Sequence, residues 1–183
     1  MPYGSLRDEW KEVVVSILLQ DELDFITHGV AQTERIGARL ARFCQGGDVI
    51  CLQGELGVGK TCLARGIARG LGVAEPITSP TFVLVGEHCT ARPHVPLYHV
   101  DLYRITSPDE ALALGIEDYL YGHGICVIEW AERIREILPA ERLWITMRHV
   151  DEQRRGLTMA ATGARYKTLL QKFKRNVFGI GED

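Results

Sequence analysis

Eight consecutive residues, Gly54-Glu55-Leu56-Gly57-Val58-Gly59-Lys60-Thr61, carry the clearest chemistry in the chain. They fit the spacing G-x-x-x-x-G-K-[ST], and each residue type has a physical reason. Glycines let backbone N–H groups turn towards bound phosphates. A helix that starts at the end of the loop offers its positive N-terminus. Lys60 neutralises the outer phosphates of a nucleotide, and the Thr61 hydroxyl is a ligand for Mg²⁺. An apolar run precedes the loop and a helical pattern follows it, which is the context such a loop needs.

A site of this kind needs a carboxylate from a second strand near the magnesium. Asp101 and Glu129 each end an apolar run, Leu97–Asp101 and Ile125–Glu129. Ligands of open α/β sheets gather outside the carboxyl ends of strands, so both acids are candidates. Ser79-Pro80-Thr81 lies between the loop's helix and the Asp101 strand. It reads either as a switch hydroxyl that senses the γ-phosphate or as an ordinary turn. Neither N-K-x-D nor T-K-x-D occurs, and no D-x-x-G follows the second strand, so adenine is the better base than guanine. Trp130 follows Glu129 and is a candidate neighbour of the nucleotide, with a buried structural tryptophan as the plainer reading. Arg104, Arg133 and Arg135 are candidates for phosphate contacts or for surface ion pairs. His99, inside an apolar run, reads as a hydrogen-bonded structural residue.

The elements that must hold these residues alternate between strand and helix. Helical spacing at Trp10, Val13, Val14, Ile17 and Leu18 suggests an amphipathic N-terminal helix. Residues 30–45 form a second, with Ile36, Leu40 and Phe43 on one face, stopping at Gly46-Gly47. Val49–Gln53 suits a strand buried on both faces. Leu63, Ile67, Ala68 and Leu71 mark the helix after the loop, which ends at Gly72. Gly66 and Gly70 weaken that helix intrinsically, so close packing against the sheet is expected there. Residues 81–85, 97–101 and 125–129 are further strands. Ser107-Pro108-Asp109-Glu110 starts a helix: Ser107 caps it, Pro108 takes its first turn and Glu110 closes the capping box. Residues 143–147 and 157–160 form an antiparallel pair, and Tyr166–Phe173 a last amphipathic helix. The implied fold is α/β: a three-layer sandwich of the P-loop NTPase kind, with a mainly parallel central sheet and added antiparallel strands. Residues 1–21 read as an N-terminal extension and 22–183 as one nucleotide-binding domain.

Bulk composition agrees. The 183 residues, 46% hydrophobic and 25% charged, suit one soluble domain. Five scattered cysteines show no metal or redox spacing and read as buried small hydrophobes of a reducing compartment. The longest apolar stretch, residues 13–19, is far short of the roughly 20 residues a membrane span needs, and acids precede it. A cytoplasmic protein without membrane contact is expected. Net charge is −3. It divides into −7 over residues 1–147 and +4 over 148–183. The basic end suits RNA, an acidic partner, or simply a solvated helix.

Taken in order, these segments resemble the TsaE (YjeE) family of small bacterial P-loop proteins. The pieces are Gly54–Thr61, Arg65-Gly66 with Leu71-Gly72, Ser79–Phe82 with Leu84-Val85, Tyr98–Arg104, Leu114–Tyr119 and Ile128–Trp130. Thr33 and Gly37 fit the family's opening helix, and the match covers about residues 22–162. The resemblance implies a P-loop ATPase, slow alone, needed for threonylcarbamoyladenosine formation in tRNA. It implies action on the TsaD–TsaB complex, which transfers the group, with any tRNA contact indirect. It also implies a monomer, or weak self-association, when the protein is alone. Residue by residue, it implies ATP contacts from Glu55 through Cys62 and at Trp130. Lys60, Thr81, Asp101 and Glu129 would be the catalytic set, and Thr61, Glu129 and Asp101 the Mg²⁺ set. Cys62 departs from the family's second threonine there, and the first 20 residues exceed its usual start. A small-molecule kinase and a nucleotide-gated binding module without hydrolysis are the alternatives.

Overall fold

The computed structural model describes residues 15–78 and 85–179, without the side chains of 15–18. Eight strands form one sheet in the order β1-β2-β8-β7-β3-β6-β5-β4. They are β1 Val15–Leu19, β2 Glu22–Thr27, β3 Val49–Gln53, β4 Val85–His88, β5 Leu97–Asp101, β6 Ile125–Glu129, β7 Arg142–His149 and β8 Arg155–Thr162. The central four, β7-β3-β6-β5, run parallel. Antiparallel strands flank them, β4 on one side and β8, β2 and β1 on the other. Helices α1 Val30–Leu40, α2 Lys60–Gly70, α3 Pro108–Ala113, α4 Glu117–Leu120 and α5 Ala164–Phe178 cover the sheet.

Alternation along β3 makes three layers of this arrangement. Ile50 and Leu52 point into a core shared with α1, α2 and α5. Val49 and Cys51 point into a second core with α3, α4 and the turn Ala131–Ile134. Both faces of β3 are therefore dry, which explains its unbroken apolar run.

Two expectations need correction, and a third falls mostly outside the described residues. Val15–Leu19 is a strand paired with β2, not part of a helix. Period-2 pairing with the β2 edge prevails over helical spacing there, while Trp10, Val13 and Val14 lie outside the described residues. The strand expected at 81–85 is described only from Val85, which opens β4; residues 79–84, Thr81 among them, are outside the described set. The capping box of α3 is displaced. Ser107 Oγ accepts from Glu110 N as expected, but the Glu110 carboxylate accepts from the N–H and hydroxyl of Thr106, at 2.9 and 3.0 Å.

Gly66 and Gly70 face α1, not the sheet. A Cβ at Gly66 would meet the Glu34 backbone, and one at Gly70 the Ala38 backbone. From the other side, a Cβ at Gly37 would meet Leu63 O and Ile67 N. The two helices run parallel and interlock through three missing side chains. Alanine at 66 tests this directly. Helix propensity alone favours Ala over Gly by about 1 kcal/mol, whereas overpacking of a backbone contact costs about 1–3 kcal/mol. Gly66→Ala is expected to lower the urea midpoint; an unchanged or raised midpoint would show that the helices part freely.

Candidate functional site

The site is built where β3 ends and α2 begins. Gly54, Gly57 and Gly59 have φ of +150°, +75° and +109°, values that favour glycine. The loop is fixed beneath by Val58, which is fully buried, and Leu63 N closes the first helical bond on Gly59 O at 3.0 Å. Because α1 and α2 are parallel, both bring their N-termini to this end of the sheet. Neither has an acid in its first turn, unlike α3 with Asp109 and Glu110. Two uncompensated positive helix ends make the region favourable for anions.

Lys60 is almost fully buried. Its ammonium donates to Gly54 O at 2.6 Å and Glu55 O at 2.8 Å, and lies 3.7 Å from the centre of the Trp130 ring. Burial lowers its pKa, opposed by Glu129, Glu132 and Asp101. Trp130 leaves β6 in the left-handed conformation, φ 61°, a costly geometry for a bulky residue that recurs at functional sites. Its ring packs on Tyr103 at 5.2 Å, and the Arg133 guanidinium lies 5.3 Å from it.

Beside the lysine, three buried or half-buried side chains form a line. The Thr61 hydroxyl donates to Glu129 Oε2 at 2.8 Å, and Glu129 Oε1 lies 2.8 Å from His99 Nε2. His99 and Glu129 are 1% and 2% exposed. Register explains why Glu129 is the carboxylate joined to Thr61. It stands on β6, the neighbour of β3, opposite Leu52. Asp101 is paired with Glu129 from β5, one strand further out, about 4.8 Å away. Asp101 Oδ1 accepts from Tyr103 N at 2.9 Å.

This donor set fits ATP with magnesium. Thr61 and Glu129 present hard oxygens side by side, the donor type that Mg²⁺ takes from one or two side chains, its shell completed by phosphates and water. Among the described residues no group of three or more His, Cys, Asp and Glu is placed to hold a metal without such help.

Three residues of the site escape a reading of the sequence. His99 is hydrogen-bonded, as expected, but its partner is Glu129. Glu132 sends a buried Oε2, with no hydrogen-bond partner, into the surroundings of Lys60; its spacing of three from Glu129 was the only signal. Arg155 Nε donates to Val58 O at 3.1 Å, bracing the loop from the start of β8. Arg154 pairs with Asp151 in the β7–β8 turn. Arg154 and Arg155, adjacent in the chain, are thus engaged by the turn and by the loop. Of the other arginines, Arg133 joins the Trp130 stack, and Arg135 lies 4.6 Å from the Trp144 ring instead. Cys62 Sγ donates to Val30 O at 3.4 Å, tying the start of α1 to the first turn of α2.

The family model for the threonylcarbamoyl adenosine biosynthesis protein TsaE matches residues 27–157. The chain belongs to the TsaE family. The tRNA threonylcarbamoyladenosine biosynthesis protein TsaE of Bacillus subtilis is 39% identical over 155 residues, covering 85% of this chain and 96% of that protein. The Treponema pallidum TsaE is 38% identical over 135 residues, 74% and 98% of the two chains. The crystal structure of Bacillus subtilis YdiB superposes with a TM-score of 0.71 at 36% identity, covering 89% of this chain and 97% of that one. This TsaE-family chain thus shares its α/β fold, parallel core included, with a solved structure. No helix among its described residues is long and apolar enough to cross a membrane.

Burial raises the Cys62 thiol to about 11, and Cys44 and Cys51 to about 12; Cys126 is raised further. Cys89 alone of the five is exposed. A raised thiol stays protonated at neutral pH and is a poor nucleophile. Iodoacetamide at pH 8 is therefore expected to modify Cys89 alone in the folded protein and all five in urea, read by intact mass. Modification of Cys62 in the folded state would contradict its contact with Val30.

Proposed function

We propose that this chain binds ATP with Mg²⁺ at the Gly54–Thr61 loop and hydrolyses it in the cytoplasm. Its cycle serves threonylcarbamoyladenosine formation in tRNA by acting on the TsaD–TsaB complex, which makes the transfer. The observation that carries this reading is the Thr61–Glu129–His99 line beside a buried Lys60, all at the positive ends of two helices.

In this reading Lys60 exchanges its carbonyl partners for phosphate oxygens, a stronger charge-assisted pairing. Bound Mg²⁺ supplies neutralisation of the charge that develops on the phosphates. Glu129 holds the Thr61 hydroxyl in place and keeps a carboxylate oxygen at the metal side. His99 fixes the plane of that carboxylate from behind. Asp101, at the same level on the next strand, orients the attacking water. The water oxygen bonds to the γ-phosphorus as the bridge to the β-phosphate breaks; the β-phosphate oxygen leaves with the electron pair, and the water's proton passes to a γ-phosphate oxygen, giving ADP and hydrogen phosphate. Thr81 keeps the switch role that the family resemblance gives it. Trp130, against Lys60, closes one side of the phosphate region.

Two variants separate binding from turnover. Lys60→Ala is expected to abolish ATP binding or hydrolysis, by calorimetry and phosphate release; unchanged values would remove Lys60 from the site. Glu129→Gln preserves size and removes the charge. It should leave ATP binding largely intact and slow hydrolysis about a hundredfold or more, the scale on which one preorganised electrostatic group acts.

The purpose of the cycle has its own test. Hydrolysis by the purified chain should be slow, and should rise when the TsaD–TsaB pair of the same organism is added. Bound ATP with no rise would leave the nucleotide site standing and refute the assignment to that pair.

A further inference from the structure

The helical layer of α1, the turn Ala41–Phe43, α2 and α5 holds eleven Lys and Arg against a single acid, Glu34. The whole chain has 21 Lys and Arg and 24 Asp and Glu, so ten of those cations and 23 of those acids lie elsewhere. A protein of net charge −3 therefore presents one strongly positive face. Five of these cations have structural or nucleotide-site duties: Lys60 lies in the loop, Arg65 donates to Ile77 O, Arg165 to Asp48 and Phe43 O, Lys174 to Leu19 O, and Lys167 pairs with Asp21. Arg35, Arg42, Arg65, Arg69, Lys172 and Arg175 are exposed.

Four of the arginines surround a groove of about 470 Å³ between α1 and the end of α2. Arg35, Arg39, Arg42 and Arg69 form its walls, with Ala31, Ala38 and a single acid, Glu34, in its lining, four cations to one anion. Arg39 also reaches Asn176 at 3.5 Å, which joins the groove to α5 and its Arg175. Compensation of helix C-termini accounts for cations in last turns, such as Arg39, Arg69 and Arg175. It does not account for Arg35 or Lys172, which stand in helix interiors; Arg65, also interior, is held by Ile77 O.

We infer that this face binds the sugar–phosphate backbone of RNA. Arginine forks match phosphate oxygens in pairs, and a layer of cations across three helices suits a polymer of phosphates better than a single anion. An acidic protein is the weaker occupant because protein interfaces need buried apolar or aromatic anchors. Of the exposed large hydrophobic residues described, only Val30 belongs to these helices, at the far end of α1 from Arg39 and Arg42. Arg69 lies nine residues along α2 from Lys60, about 13 Å at 1.5 Å per residue. The surface is separate from the nucleotide site and does not depend on the ATPase reading.

The test is fluorescence anisotropy of the full chain with a labelled unmodified tRNA transcript, titrated over a range of KCl. Wild-type affinity should fall steeply with salt. R35E/R42E/R69E should weaken binding at least tenfold and flatten the plot of log K against log salt by about 2–3, one increment for each lost phosphate contact. ATP hydrolysis by the same variant should be unchanged, so a failure here is distinct from a failure of the nucleotide site. R35Q/R42Q/R69Q should move the same way by a smaller factor, and a thermal melt establishes that both variants fold. Equal affinity and salt slope in a folded variant would overturn the inference. So would tighter binding of polyglutamate than of RNA, which would give the face to an acidic protein.

Discussion

A carboxylate buried to 2% exposure is tolerable only if its oxygens are satisfied, and the Glu129 clamp is the constraint on which the site rests. One oxygen faces the Thr61 hydroxyl and the other faces His99. The three residues come from three elements: Thr61 from α2, Glu129 from β6 and His99 from β5. The clamp works only if β6 lies between β3 and β5, with parallel register setting Leu52 against Glu129 and Glu129 against Asp101. Sheet order thus becomes chemistry. A slip of one residue in β6 would turn Glu129 to the opposite face, because side chains alternate along a strand.

The second constraint is the spacing between α1 and α2. A loop that holds phosphates needs its helix N-terminus fixed, and α2 is held by backbone contact with α1 rather than by side chains reaching across. Gly37, Gly66 and Gly70 make the approach possible at a cost in intrinsic helix stability. The gain is a rigid pair with both N-termini at the same end. Cys62 adds a tie between those ends through Val30 O. A thiol is a weak donor, so the position where the family resemblance expects a phosphate contact acts here on the scaffold.

Much of this was legible in the chain itself, and the reasons are local. The Gly54–Thr61 loop needs glycine, lysine and threonine at fixed offsets, and Val49–Gln53 announces a doubly buried strand. Asp101 and Glu129 could be placed at strand ends, but not ranked, because ranking needs strand order, which is a long-range property. The same holds for His99 and Arg155. His99 lies 30 residues from its carboxylate, and Arg155 lies 97 residues from the loop carbonyl it braces. Gly66 and Gly70 declared a close approach, but the expected partner, the sheet, was wrong: the approach is to α1, and helix and sheet both accept small residues. Helical spacing near the N-terminus misled for a related reason: Val15–Leu19 pairs with β2, and pairing with a partner strand overrides local periodicity.

Charge is segregated by the same parallel packing. The C-terminal ends of α1 and α2 carry partial negative charge and attract arginines, while their N-terminal ends lack acids. Both ends of the helix pair thereby favour anions, the first through backbone dipoles and the second through side-chain cations. A sequence reading assigned the positive charge to the C-terminal stretch, because only there are cations dense along the chain. In the fold, Arg35, Arg42 and Arg69 join that stretch from elsewhere, through Arg39 and its contact with Asn176. A rigid unit with a phosphate-favouring end at the nucleotide loop and a cationic groove about 13 Å along its axis is mechanically continuous. Any shift of α2 that accompanies events at Lys60 must carry α1 and the groove with it, since three glycines leave no slack between them.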